Sequence, residues 1–232
     1  QGYKATRRPM PDARARQMPV LQELLADMKI KTVDSAGVEA DDIIGTLTKR
    51  FGVPTLIITG DKDMFQLVDE KTTVLLTKRG VSETEAVTPA LLLENYGLKA
   101  EQVVEYKALR GDASDNIPGV KGIGEKGAVS LLLEYGTVDN IYAHIDEIKG
   151  ALRTKLVEGK QSAYMSRELA TIRTDADIFC RFEECERPKV YGAEVKKTFE
   201  WLEFRSLLKR IPIVGDVREQ KLETEVIKIT DT

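Results

Sequence analysis

The chain has 232 residues, 42% of them hydrophobic and 31% charged, with 35 Lys and Arg against 38 Asp and Glu and a formal net charge of −3. That length can bury one good core and a small second lobe, while no apolar run approaches a membrane span and no secretory signal opens the sequence. Cys180 and Cys185 are the only cysteines and His144 the only histidine, which excludes a Cys/His zinc set and leaves two thiols in a reducing cytoplasm as the reading.

In chain order, residues 1–16 carry Lys4, Arg7, Arg8, Arg14 and Arg16 against Asp12 alone. Such a run is either a solvated arm or, with Tyr3 interleaved, a nucleic-acid contact. The start at Gln1, without Met or a preceding strand, gives the expectation of a fragment. Met18, Leu21, Leu25 and Met28 recur at helical spacing. Lys31-Thr32-Val33 predicts a short strand. Glu39, Asp41 and Asp42 then lead a helix whose apolar face is Ile43, Ile44, Leu47 and Phe51. Acids suit the first turn of a helix, but three in four residues exceed what the dipole asks for.

Thr55-Leu56-Ile57-Ile58-Thr59 predicts a strand buried in a parallel sheet, followed at once by Asp61 and Asp63 at the end where open α/β sheets place their ligands. Thr73 to Thr77 predicts another strand. Thr88-Pro89 starts a helix through Tyr96, and Glu101 to Leu109 predicts the next. Arg110 to Lys126 then reads RGDASDNIPGVKGIGEK. Asp112 and Asp115 are three residues apart, close enough in a turn to face one point and equally suited to turn chemistry. Gly119 to Gly124 alternates glycine with apolar or basic residues before a helix, a turn that offers backbone N–H groups to phosphate. Beyond it the spacing predicts helices over Val138 to Ile145, Leu152 to Val157 and Tyr164 to Ala170, and a strand at Thr171-Ile172-Arg173. A last helix runs from Val195 to Leu208, with Trp201 on the core, before a linker over 212–232.

Glu39/Asp41/Asp42, Asp61/Asp63 and Asp112/Asp115 make seven carboxylates from three elements, which a cation must neutralise if they assemble. The all-oxygen set suits Mg²⁺ or Mn²⁺, and two such ions about 4 Å apart could serve phosphodiester hydrolysis.

VEADD (38–42), TGDKDMFQL (59–67), ALRGDASDNIPGVKGIGEK (108–126) and YKATRRPMP (3–11) occur in this order, and the chain resembles the 5′-nuclease domains of the flap endonuclease family from Tyr3 to about Ile211. The resemblance implies an α/β, PIN-like fold with a largely parallel sheet and flanking helices, plus a helical lobe with a helix–hairpin–helix-type motif. The expected division is an α/β nuclease core with a partial arch over 1–110, a DNA-binding lobe with the C-terminal helices over 111–211, and the linker. It also implies two Mg²⁺ or Mn²⁺ ions held by Glu39, Asp41, Asp42, Asp61, Asp63, Asp112 and Asp115. A duplex backbone would be gripped at Gly119, Lys121, Gly122, Ile123, Gly124 and Lys126, with a K⁺ ion at that turn. Tyr3, Lys4, Arg7 and Arg8 would lie in an arch over a 5′ flap, Lys4 and Arg7 acting at the scissile phosphate.

The implied substrates are DNA with a 5′ flap, a nick or an RNA primer, cut in bacterial replication and repair. The implied setting is the nucleoid-associated cytoplasm, off the membrane, with polymerase domains after residue 232. Two departures bear on this: the family's first strand and its pre-arch Asp would precede Gln1, and Gly127 stands where the family usually has Thr. The expectation is therefore salt-dependent binding of branched DNA with poor cutting. The rivals are a non-catalytic DNA-binding module, a PIN-like ribonuclease and a structural cation site.

Overall fold

A computed structural model describes residues 2–5, 9–80 and 82–214; Arg7 and Arg8 and residues 215–232 of the expected linker lie outside the described residues. In chain order the elements are α1 (Asp12–Ala15), α2 (Gln17–Asp27), α3 (Ala40–Phe51), β1 (Thr55–Thr59), a 3₁₀ segment (Lys62–Leu67), β2 (Thr72–Arg79) and β3 (Glu83–Val87). Seven helices follow: α4 (Pro89–Tyr96), α5 (Ala100–Arg110), α6 (Glu125–Tyr135), α7 (Val138–Ala143), α8 (Gly150–Ala170), α9 (Ala193–Trp201) and α10 (Arg205–Leu208). The chain divides into two compact units, Gln1–Pro9 with Val33–Cys180, and Met10–Thr32 with Arg181–Thr232.

The first unit contains a sheet of order β1-β2-β3, β1 parallel to β2 with Thr55 opposite Thr72, and β2 antiparallel to β3 with Val74 opposite Val87. Its inner face supplies Ile57, Val74, Leu76 and Val87 to a core completed by Met64, Phe65, Val68, Leu92 and Val103. A second core forms where α5, α6, α7 and α8 meet, around Leu109, Val120, Leu132, Ile141 and Leu156. Thr88 caps α4 by accepting from Leu91 N–H, with Pro89 in the first turn, as the sequence predicts.

Several elements differ from their predicted form. β1 is buried on one face only: Ile57 is 5% exposed, but Leu56 and Ile58 are 56% and 65% exposed. Alternation along a strand sends neighbours to opposite faces, and among the described residues nothing covers the second face. Thr171-Ile172-Arg173 does not form a strand. Thr171 N–H still reaches back to the Glu168 carbonyl at the end of the preceding helix, and the next two N–H groups go to side chains, Ile172 to Gln66 Oε1 at 3.2 Å and Arg173 to Asp42 Oδ1 at 2.8 Å. The following segment stays on α3, with Ala176 N–H bonded to Thr46 Oγ1 and Ile178 packed against Ile43. Lys31-Thr32-Val33 is likewise not a strand, and the two helices expected between 152 and 170 are one, α8.

In the second unit Leu24 of α2 packs with Tyr191, Val195 and Phe199. The last predicted helix is broken in two after α9, with Glu203 at φ 57°, and Trp201 is 70% exposed rather than packed on the core. Neither Cys180, buried, nor Cys185, exposed, is in a disulfide.

Candidate active site and nucleic-acid interface

Each acidic group is delivered by a local rule. Glu39 stands at the N-cap of α3 in extended backbone, but its side chain does not cap the helix. That carboxylate instead accepts from Lys4 Nζ. Asp41 and Asp42 fill the first turn of α3, where the helix dipole favours negative charge. Asp61 follows β1 directly and caps the 3₁₀ segment, its Oδ1 accepting from Asp63 N–H at 2.9 Å. Asp112 and Ile117 exchange two backbone hydrogen bonds of 2.8 Å, closing a short loop over 112–117. Within it Asp112 Oδ1 accepts from Ser114 N–H and Oγ at 2.8 and 2.6 Å. Gly111 and Gly119 let this loop close: both have positive φ, and a Cβ on Gly111 would lie 2.6 Å from the Ile117 carbonyl oxygen.

Five of the seven sequence-predicted acids, Glu39, Asp41, Asp42, Asp63 and Asp115, line one cavity of about 580 Å³ with Tyr3. Asp61 and Asp112 do not line it. Asp61 Oδ1 is engaged by Asp63 N–H, while Asp112 turns to Lys107, whose Nζ is 2.7 Å from Asp112 Oδ2 and also pairs with Asp63. Among the described residues no three of these carboxylates converge on a single point.

Burial pushes Asp63 up to about 6, the Lys107 ammonium only partly offsetting it. Burial also acts upward on the less enclosed Asp112, but there the hydrogen bonds from Lys107 and Ser114 prevail and hold it at about 2. Asp41 is raised by burial first and by the neighbouring Asp61 charge second. Carboxylates crowded in this way call for a cation. With no His or Cys among the donors, the chemistry fits a hard divalent ion, and Lys107 supplies part of the compensating charge.

Sequence reasoning missed Lys107, Glu168 and Arg173, the last two lining the cavity. Lys107 was legible: it stands four residues after Val103, buried, and so on the same helical stripe. Glu168 and Arg173 carry no local signal, since they arrive from a segment more than 100 residues beyond Glu39.

The second feature is the glycine turn. Gly119 donates its N–H to Ser166 Oγ and accepts from Ser162 Oγ, at 2.9 and 2.6 Å, which anchors the turn on α8. Val120 and Ile123 point into the helical core. Ile123 is thus a packing residue as well as part of the expected interface. Gly124 is the N-cap of α6 and has open space where a Cβ would stand. Gly122, Gly124, Glu125, Lys126 and Gly127 line an open cavity of about 660 Å³ with Ile123 and Leu152. Lys155, also absent from the sequence reading, places Nζ 3.1 Å from the Gly122 carbonyl oxygen. Lys121 is exposed beside it. A helix N-terminus with free N–H groups flanked by lysines is suited to a phosphate.

Comparison with known proteins finds two consecutive matches along the chain. Residues 1–97 match the family model described as the 5′-3′ exonuclease N-terminal resolvase-like domain, and residues 98–192 match its C-terminal SAM fold. DNA polymerase I of Caldicellulosiruptor bescii is 42% identical over 96% of this chain and 28% of its own length. That of Bacillus subtilis is 41% identical over 98% of this chain and 26% of its own. The chain thus spans about a quarter of these relatives. Among solved structures, T5 5′-exonuclease with bound divalent zinc ions superposes with TM-score 0.61 at 25% identity, covering 74% of this chain and 65% of that one. The catalytic core of Rad2 in complex with DNA substrate shares the fold, with TM-score 0.55 at 18% identity over 88% and 71% of the two chains. With the two parts of one family matched in order from residue 1 to residue 192, the chain belongs to the 5′-3′ exonuclease (flap endonuclease) family, a family of metal-dependent 5′-nucleases.

Proposed function

We propose that these residues hydrolyse DNA phosphodiesters at a 5′ flap, a nick or an RNA primer with two Mg²⁺ or Mn²⁺ ions. The setting is replication and repair in the bacterial nucleoid, within a protein that also carries polymerase domains. The observation that carries the reading is the assembly of Glu39, Asp41, Asp42, Asp63 and Asp115 around one cavity, with Tyr3 on its wall and Lys4 paired to Glu39. In this reading Glu39, Asp41, Asp42, Asp61, Asp63, Asp112 and Asp115 hold the ions, so residues 1–110 carry the chemistry together with the 112–117 loop that opens the following segment. Bound ions would lower the pKa of a water and stabilise charge on the phosphate.

The chain's own residues do the rest. Lys4, with Arg7, offsets charge on the scissile phosphate, and Tyr3 with Arg8 seats the single strand. Residues 111–211 grip the duplex: Lys121 and Lys126 and the backbone N–H groups from Gly119 to Gly124 hold a downstream phosphate. K⁺ would take the turn's remaining carbonyl oxygens.

A second reading, a DNA-binding module without cleavage, is favoured by the pairing of Asp63 and Asp112 with Lys107. A 5′-labelled flap duplex incubated with Mg²⁺ separates the two. Products that vanish with a chelator and with Asp115→Asn support hydrolysis. Salt-dependent binding with no product in either Mg²⁺ or Mn²⁺ assigns the chain to binding alone.

A further inference from the structure

Residues 2–5, the described start of the basic arm, do not hang free beside the acid cavity. Gly2 to Ala5 form a tight turn, with Ala5 N–H bonded to the Gly2 carbonyl at 3.0 Å. The side chains of Tyr3 and Lys4 reach Glu39, while the backbone of the turn is held from outside at two points, both on the loop that carries Asp112 and Asp115. Lys4 N–H donates to the Asp115 carbonyl at 2.9 Å, and the Asn116 side-chain amide donates to the Gly2 carbonyl at 2.7 Å. Lys4 and Asn116 both sit in the left-handed region, at φ 56° and 57°. A lysine holds that conformation only where its surroundings over-determine it, whereas Asn adopts it readily. Gly2, at φ 126°, fits the same contact, for a Cβ there would come within 3.2 Å of Asn116 Nδ2.

We propose that Asn116 is a positioning residue that fixes the Gly2–Ala5 turn over the acid cavity, so that the loop carrying two candidate metal ligands also presents the Lys4 ammonium to a phosphate of the 5′ strand. This rests on the nuclease reading for the identity of the phosphate, but not for the position of Lys4. Asn116 touches no reacting atom and acts through Lys4. The Asx side chain does two things at once: it tolerates the left-handed turn that ends the 112–117 loop, and it points a donor at the arm. Asn116→Gly keeps the first and removes the second. Asn116→Asp keeps the shape and replaces the donor with an acceptor facing a carbonyl.

The test has two readouts on the chain in solution. The first is the rate at which an amine-reactive reagent labels Lys4, followed by peptide mass spectrometry, with exposed Lys71 as internal reference. Both variants should raise the Lys4 rate about five-fold, the worth of one net hydrogen bond, and leave Lys71 unchanged. Wild-type labelling of Lys4 in both variants overturns the proposal.

The second readout is affinity for a 5′-flap duplex relative to the same duplex nicked without a flap, in Ca²⁺, for the wild type, Lys4→Ala, Asn116→Gly and the double variant. Each single change should reduce the preference for the flap about five-fold, with no further loss in the double variant, because one residue acts through the other. Additive losses overturn the proposal. If Lys4→Ala leaves the flap preference intact, the phosphate role given to Lys4 fails, and the labelling result still decides the role of Asn116.

Discussion

Lys107→Met is the perturbation whose consequences can be worked furthest from the structure. The lysine is only 11% exposed and its ammonium is shared by Asp63 and Asp112, themselves 15% and 19% exposed. Methionine keeps the length and apolar stem and removes the charge. Removing one partner of a buried ion pair costs about 3–5 kcal/mol, because a charge is left without compensation. Asp63 already stands near 6 and can take up a proton instead, so the lower end, about 3 kcal/mol at pH 7, is expected.

For a chain of this size that lowers Tm by about 6–12 °C. A divalent ion seated on the same carboxylates would replace the lost ammonium, and an ion at 100 times its Kd stabilises by about 2.7 kcal/mol. In the unmodified chain the ion must compete with Lys107, so Mg²⁺ or Mn²⁺ should raise Tm by more in the variant. Thermal unfolding with and without metal measures this. An equal metal-induced shift in both chains would show that Asp63 and Asp112 do not belong to the metal seat.

Gly124→Val should leave Tm near the unmodified value, since Gly124 has ordinary backbone and open space where a Cβ would stand, while weakening duplex binding by blocking approach to the α6 N-terminus; unchanged duplex affinity would remove the phosphate contact from this turn. Tyr142 donates to the Leu156 carbonyl at 3.0 Å, and burial pushes its hydroxyl up to about 12. An acid whose folded pKa lies above its unfolded value near 10 contributes stability that is present below pH 10 and lost as pH rises to 12, here about 3 kcal/mol. Tyr142→Phe should flatten urea-unfolding stability across that window, and an unaltered slope would reject the assignment. Ile58→Lys should reduce self-association measured by light scattering, because β1 ends the described sheet and presents Leu56 and Ile58 outward; identical scattering would mean this edge is not where chains meet.

What the sequence disclosed, and what it hid, follows from the range of the interactions. Periodicity and capping are local, so α3, α4 and β1 could be read directly, and acids written next to a helix start or a strand end could be placed with them. The loop over 112–117 was legible for the same reason, its glycines and Asx residues being the chemistry of a tight turn.

Long-range partners were not legible. Nothing near residue 171 announces that Ile172 will bond to Gln66 rather than to a strand, and nothing near Asn116 announces Gly2. Lys107 was within reach, on the stripe of Val103, but a lysine in a charged stretch reads first as solvated. Trp201 misled because a large aromatic side chain was assigned to a core; Glu203 at positive φ breaks the helix just beyond it and leaves the indole exposed.

The central claim is that carboxylates from α3, the end of β1 and the 112–117 loop form one divalent-metal seat. Calorimetric titration of Mn²⁺ into the unmodified chain, Asp63→Asn and Asp115→Asn tests it most directly, since the change from carboxylate to amide keeps shape and removes the charge the ion needs. Affinity should fall about tenfold or more in each variant, the loss of one charge-assisted contact, while duplex binding in Ca²⁺ changes little. Unchanged Mn²⁺ affinity in both variants would contradict the account.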